Sequence, residues 1–191
     1  MAKDTRQFDT EHAELAINLI AEQIGNIEAA IWTLDEALTK TQSDNLHQLL
    51  FVQIFRMCLS WLILTTAKVE ELWREYGSLA EPYSRDRMRA ALREVSERGM
   101  TDLRNASVAH ILDKKTRKPL SPSFVEESIK TMFRGNPLEF FHWLRHPDDP
   151  KVDTLSRALR VFREDLIKKY PNARITMPVS TYATSSGDVQ F

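Results

Sequence analysis

The sequence predicts an all-α domain, and three observations carry that prediction. Only 5 glycines occur in 191 residues. β-Branched residues never alternate with polar ones over a run, so strands find little support. Apolar residues instead recur three and four positions apart over long stretches, the spacing that lines one face of a helix. With 42% hydrophobic content the chain is able to bury one sizeable core, and its length favours one domain over two. A single helical domain is expected over residues 1–170, followed by a flexible tail over 171–191.

The elements follow in order. A first helix is expected to start near Asp9 or Thr10, both good N-caps, and to run through AELAINLIAEQIGNIEAAIWTLDEAL, with Gly25 a point of possible bending. TQSDN at 41–45 reads as a turn that caps a second long helix ending about Tyr76, with Gly77 as its terminator. A shorter helix is expected from Ser84 to about Arg98, broken by Gly99. Thr101 or Asp102 is placed to cap the next helix, which gives way to the basic, proline-containing loop DKKTRKPLSPS. Two short helices, about 123–134 and 137–146, are separated by RGNP. A last amphipathic helix spans about 153–170, with Leu155, Leu159, Phe162, Leu166 and Ile167 on one side. From Pro171 onward the chain is rich in Ser, Thr, Gly and Pro, the composition of a mobile tail.

Composition narrows the function classes. The formal net charge is -1, so nothing global argues for nucleic acid or a membrane surface. The distribution is uneven. Residues 1–81 carry 6 Lys and Arg against 13 Asp and Glu, residues 82–118 carry 10 against 5, and residues 119–191 carry 10 against 9. The lone Cys58 excludes an intrachain disulfide framework and a multi-cysteine zinc site, and a reducing cytosol is its natural setting. MAKDTRQFDTEHAE has charges without an apolar core behind them, so secretion is not indicated and a cytoplasmic location is expected.

The most apolar stretch, LLFVQIFRMCLSWLILTTA at 49–67, is long enough to raise the question of a membrane span. Gln53, Arg56 and Ser60 form a polar stripe within it, and an arginine near the centre of a span costs roughly 2.5–3.5 kcal/mol on insertion scales. The expectation is therefore a helix buried on most sides and no membrane. Apolar cover all around such a helix is supplied poorly by one small bundle and well by a dimer. Arg56 is expected either to face a functional cleft or to pair with a glutamate of the first helix, as buried charge seeks a partner.

One motif carries chemistry. In LRNASVAH, residues 103–110, Arg104 and His110 lie six apart within the basic middle third. A histidine titrates near neutrality, so it can take a proton from a ribose 2′-hydroxyl or give one to a leaving oxygen. A guanidinium keeps its charge and offers forked donors to phosphate oxygens, which suits the negative charge of a phosphoryl transition state. The pair therefore fits cleavage of RNA without a metal. Spacing alone is weak evidence, since Arg6 and His12 show the same separation near the terminus. The second pair differs in its positive surroundings, in the Asn105 that follows the arginine, and in its place on a helix behind two long ones.

These residues, together with that helix order, resemble the HEPN (higher eukaryotes and prokaryotes nucleotide-binding) superfamily, whose signature is an arginine, a polar residue such as Asn, and a histidine four to six positions on. The bacterial abortive-infection U-type branch, with RN…AH motifs, looks closest. The resemblance covers roughly residues 10–115. It implies an up-and-down helical bundle with additional C-terminal helices, and a metal-independent endoribonuclease of phage defence or a toxin–antitoxin system. Arg104 would be the phosphate-contacting arginine, His110 the general acid or base, and Asn105 the residue that supports them. The resemblance also implies a homodimer whose two motifs meet in one cleft. Positions six apart on an ideal helix point about 120° from each other, so one chain would not aim both side chains at one phosphate. A tyrosine that often follows the histidine in toxins with a nucleotidyltransferase antitoxin is replaced here by Ile111, Leu112, Asp113 and Lys114. Regulation through that tyrosine is not supported.

Other residues admit two readings. Lys114, Lys115, Arg117 and Lys118 are candidates for contact with the RNA backbone, or form a plain basic loop. Arg85, Arg87, Arg89 and Arg93 make either an RNA-facing wall or a solvated face interrupted by Asp86, Glu94 and Glu97. His142 and His146 have a metal-ligand spacing, but no third ligand is evident and Phe141 and Trp143 beside them suggest packing. No metal and no cofactor are expected. The expected partners are RNA, a second copy of the chain, and an antitoxin or defence protein. The alternative to the nuclease is a non-catalytic helical module that binds RNA or protein.

Overall fold

The computed structural model describes residues 2–42, 47–104, 122–145 and 152–176. Among them the chain forms seven α-helices, one 3-10 turn and no strand, an all-α bundle as the glycine count and the periodicity predict.

The first helix, α1 (Ala2–Gln42), starts earlier than the N-caps Asp9 and Thr10 suggested. No glycine or proline precedes them, so nothing stops the helix from extending. Gly25 lies inside it without interrupting it. One side carries Ala13, Ile17, Ile20, Ile24, Ile27, Ile31 and Leu34, all buried. The second helix, α2 (Gln48–Tyr76), is capped by His47, whose Nδ1 accepts from the Leu49 N–H at 3.2 Å. It runs antiparallel to α1. Lys68 reaches Glu22 at 3.8 Å, while the His12 and Tyr76 rings meet edge-on at 5.9 Å. Gly77 has ordinary helical φ, and a 3-10 turn follows over Gly77–Leu79. A Cβ there would stand 2.9 Å from the Trp73 ring, so close approach rather than a left-handed turn requires the glycine.

The third helix, α3 (Pro82–Glu97), begins with proline in its first turn and ends at Gly99, whose φ of 65° breaks it where the sequence said it would. Directly behind lies α4 (Met100–Leu103). Helix α5 (Pro122–Phe133) turns back through Arg134 and Gly135, both at positive φ, into α6 (Pro137–Leu144). Asn136 caps α6 by accepting from the Leu138 and Glu139 N–H groups at 3.1 and 3.3 Å. Thr154 caps α7 (Leu155–Lys169) by accepting from the Arg157 N–H at 3.0 Å.

Helix α7 lies antiparallel along both α1 and α3. Arg160 pairs with Glu28, Lys169 with Glu81 at 2.9 Å, and Arg87 with Asp153. Its Leu155, Leu159, Phe162 and Leu166 are wholly buried, and Phe162 meets Trp73 edge-on at 5.5 Å. Each such side chain contributes about 1.5–3 kcal/mol on burial. The start of the expected tail is held to α1. The Arg174 N–H donates to Glu14 at 3.0 Å and the Thr176 N–H to Asn18 at 3.0 Å. The remainder of that tail, 177–191, lies outside the described residues, as do 43–46 of the expected turn.

The second helix departs from expectation. It is buried on one side, not on most. Over its first half the buried residues are Cys58 and Leu59, while Leu49, Leu50, Val52, Met57 and Trp61 are exposed. From Leu62 on, burial is nearly continuous on the α1 side. Arg56 is exposed and makes no ion pair among the described residues, because the side it occupies is open to solvent and needs no partner. By length and composition α2 is the one described helix able to cross a membrane, with a mean hydropathy of 1.7 and a third of that window buried.

Candidate functional site

Arg104 is the one motif residue among those described; Asn105, His110, Lys114, Lys115, Arg117 and Lys118 lie outside them, as does His146. Its position is set by α4. Gly99 lets the chain turn sharply out of α3, Met100 and Leu103 bury their side chains in the core, and the Thr101 hydroxyl donates to Glu70 of α2 at 2.8 Å. The next helical position then faces the neighbouring surface of α2. There the Arg104 guanidinium donates to Glu71 Oε1 at 3.2 Å, with its own side chain about a quarter exposed and that of Glu71 at 60%.

Arg104 forms the end of a shallow open hollow of about 340 Å3 whose floor is α2, from Trp61 and Leu64 through Lys68 to Glu71. The hollow holds a guanidinium, an ammonium and a carboxylate beside an indole ring, and the Lys68 ammonium lies 6.0 Å from the centre of the Trp61 ring. Each cation has a carboxylate beside it, Glu22 at 3.8 Å from Lys68 and Glu71 at 3.2 Å from Arg104, so an oxyanion reaching the arginine competes with Glu71.

The hollow is the end of a longer feature. Leu50, Gln53, Met57, Trp61, Leu64, Lys68 and Glu71 are spaced by three or four and so form one ridge along α2. Apart from Gln53 it is apolar from Leu50 to Leu64, and it is charged from Lys68 onward. Trp61, Lys68 and Glu71 were not among the residues singled out from sequence, though their spacing, continued from Gln53, was there to be followed.

The arginines of α3 divide differently from the wall considered above. Arg85 donates to the Ala80 carbonyl at 2.7 Å, and Arg87 is bound to Asp153 with its guanidinium 4.9 Å from the Tyr83 ring. Arg85 thus closes the turn that leads into α3 and Arg87 ties α3 to the segment before α7, while Arg89 and Arg93 are exposed. Arg98, which sequence reasoning passed over, is buried. Its Nε donates to Glu94 at 2.9 Å and its Nη1 to the Met132 carbonyl at 2.8 Å, under the Trp143 ring at 5.0 Å. That set ties α3 to α5 and α6.

His142 is exposed on α6, and Phe141 and Trp143 beside it pack against the core. Among the described residues no group of three His, Cys, Asp or Glu side chains is placed to hold a metal ion.

Among solved structures the chain is similar to the integron cassette protein Vpc_cass2 from the mobile metagenome of V. paracholerae. The two are 25% identical, with a TM-score of 0.65 over 79% of this chain and 93% of that one. The helical arrangement described above is therefore shared with an experimentally determined protein over nearly that protein's whole length. No family model matches the chain. No curated protein matches it either.

Proposed function

We propose that the chain is a cytoplasmic, metal-independent endoribonuclease of the HEPN type, acting as a dimer in phage defence or as a toxin with a neutralising partner. The observation that carries this reading is Arg104, held by α4 at the rim of an open hollow, where its guanidinium meets the exposed Glu71 carboxylate. In the reaction the ribose 2′-oxygen attacks its own phosphorus and the bond from phosphorus to the 5′-oxygen breaks. The products are a 2′,3′-cyclic phosphate and a free 5′-hydroxyl. One His110 imidazole takes the 2′-proton, and an imidazolium, supplied by the same residue of the other copy, returns a proton to the 5′-oxygen. Arg104 holds the charge that builds on the phosphoryl oxygens, Asn105 supports it, and Lys114, Lys115, Arg117 and Lys118 bind the flanking RNA backbone.

The exposed ridge of α2 is where the second copy fits. A contiguous exposed apolar strip of this kind marks an association surface. The direction of packing follows from arithmetic. Were the two α2 helices antiparallel about Trp61, Glu71 would sit about 15 Å from the axis on each, and the two Arg104 side chains about 30 Å apart. Parallel packing, with the two-fold axis along the helices, covers the ridge from Leu50 to Leu64 and brings both arginines to the same end.

Two experiments test this. RNA is incubated with wild-type protein, Arg104→Ala and His110→Ala in excess chelator. Wild type leaves cyclic-phosphate ends and each variant loses at least about a hundredfold of the rate; equal RNA survival with all three removes the nuclease. For the dimer, Gln53→Cys and Leu64→Cys each cross-link to their own copy if packing is parallel. Cross-linking of Leu64→Cys alone means the helices are antiparallel and the shared cleft is lost.

A second reading is favoured by the ion pair between Arg104 and Glu71, which is also what a structural arginine makes. On it the chain is a non-catalytic module that binds RNA or protein. Binding that persists in His110→Ala and weakens when Lys114, Lys115 and Lys118 are neutralised would favour it.

A further inference from the structure

A second concave site lies where α1, α2 and α6 meet, at the opposite end of α2 from Arg104. Ile31, Leu34 and Leu38 of α1 form one wall, Phe51 and Phe55 of α2 the floor, and Leu138 and Phe141 of α6 the other wall. The Phe55 ring stands 6.3 Å from both Phe51 and Phe141, edge-on to the latter. Leu38 and Leu138 are exposed leucines at its lips. The cavity measures about 240 Å3. An apolar cavity of roughly 150 Å3 holds a benzene molecule, so this one takes a two-ring or substituted one-ring compound.

The polar groups are few and asymmetric. Arg145 and His142 stand together on the α6 side, and Arg145 makes no ion pair among the described residues. Asp35 stands on the α1 side. An apolar well with a small number of polar groups at its edges is the usual form of a small-molecule site. A guanidinium there favours a carboxylate, which it can meet with two parallel hydrogen bonds. Asp35 repels a second negative charge on the far side, so the fitting ligand carries one acid group at one end.

We infer that this well is a binding site for a small aromatic or short-chain monocarboxylic acid, its apolar body on Phe51, Phe55 and Phe141 and its carboxylate at Arg145. The site is separate from the nuclease reading and does not rest on it, since Phe55 and Glu71 are about 24 Å apart along α2.

Titration calorimetry with 2-naphthoate, its neutral carboxamide and 2-naphthylmethylammonium tests the inference on the full chain. The acid is expected to bind saturably, the amide more weakly and the cation weakest. Arg145→Gln should weaken the acid about tenfold while leaving the amide unchanged. Leu138→Trp, at an exposed position where folding is unaffected, should close the mouth and abolish binding of every probe. The inference is overturned if the acid shows no saturable binding below about 1 mM, if the cation binds as tightly, if Arg145→Gln leaves the acid's affinity unchanged, or if Leu138→Trp still binds.

Discussion

The first half of α2 is the more apolar in sequence, with 10 of 13 residues apolar over 49–61 against 6 of 11 over 62–72, and yet it is the less covered. From Leu62 to Leu72 the helix, packed on α1 and α4, buries Leu62, Ile63, Ala67, Val69 and Leu72, and its exposed positions are charged. From Leu49 to Trp61 it buries Cys58 and Leu59 and exposes three leucine-sized or larger side chains on its outer ridge: Leu50, Met57 and Trp61. Hydropathy is a property of the residue and burial one of its neighbours, so a run of apolar residues says that cover is needed without saying who supplies it. The second half is covered by its own chain. The first half asks for something else, and the proposals above assign it a second copy outside and a small acid beneath.

The sharpest way to break that contrast is to make the same substitution in both halves. Leu62→Ala, at a wholly buried position, should cost about 2–5 kcal/mol in urea unfolding. Leu50→Ala, at 51% exposure, should change the stability of the monomer by less than about 0.5 kcal/mol. If the second change costs as much as the first at high dilution, the first half is packed within the monomer. If it costs more only as concentration rises, a second copy is the cover.

Cys58 sits at the boundary and reports on it. The thiol is nearly inaccessible, and burial pushes its pKa above the ordinary value. Both effects slow attack on a disulfide reagent. The native chain should react about a hundredfold more slowly than the unfolded one, as a local opening of roughly 2.7 kcal/mol would impose. The sign of the pH effect follows. Above the ordinary thiol value of about 8.5 the unfolded chain gives up this proton before the folded chain does. The unfolded state then binds fewer protons, so this contribution to stability is complete below that value and is lost as pH rises through the folded pKa. Urea midpoints at pH 8 and pH 10 should show the fall in wild type and a smaller one in Cys58→Ala. Rapid labelling at neutral pH would mean the first half opens freely.

Much of this was legible in the sequence. Gly99 and the RGNP stretch punctuate the chain by local rules, and α3, α5, α6 and α7 lie within about two residues of where the sequence puts them. The start of α1 was misplaced because good capping residues do not end a helix that has nothing to stop it. Arg98 and Arg104 show the limit more clearly. Six positions apart and identical in type, one is buried with a carbonyl 34 residues away and the other stands at an open hollow. Nothing local separates them. Only the turn at Gly99, which carries the chain from the α3 side to the α2 side, decides which arginine reaches a surface.

The smallest expected effect is at the helix start. The His47 side chain accepts from the Leu49 N–H, satisfying one of the donors that a helix N-terminus leaves without a backbone partner. His47→Ala should cost about 0.5–1 kcal/mol and His47→Asn, a stronger cap, should recover it. The informative measurement is where the loss falls. Amide exchange should quicken at Leu49, Leu50 and Phe51 and stay unchanged from Leu62 to Leu72, because the first half has little packing to hold it once the cap is gone. Equal quickening along the whole helix would mean that α2 opens as one unit, and that the difference between its halves is one of exposure alone.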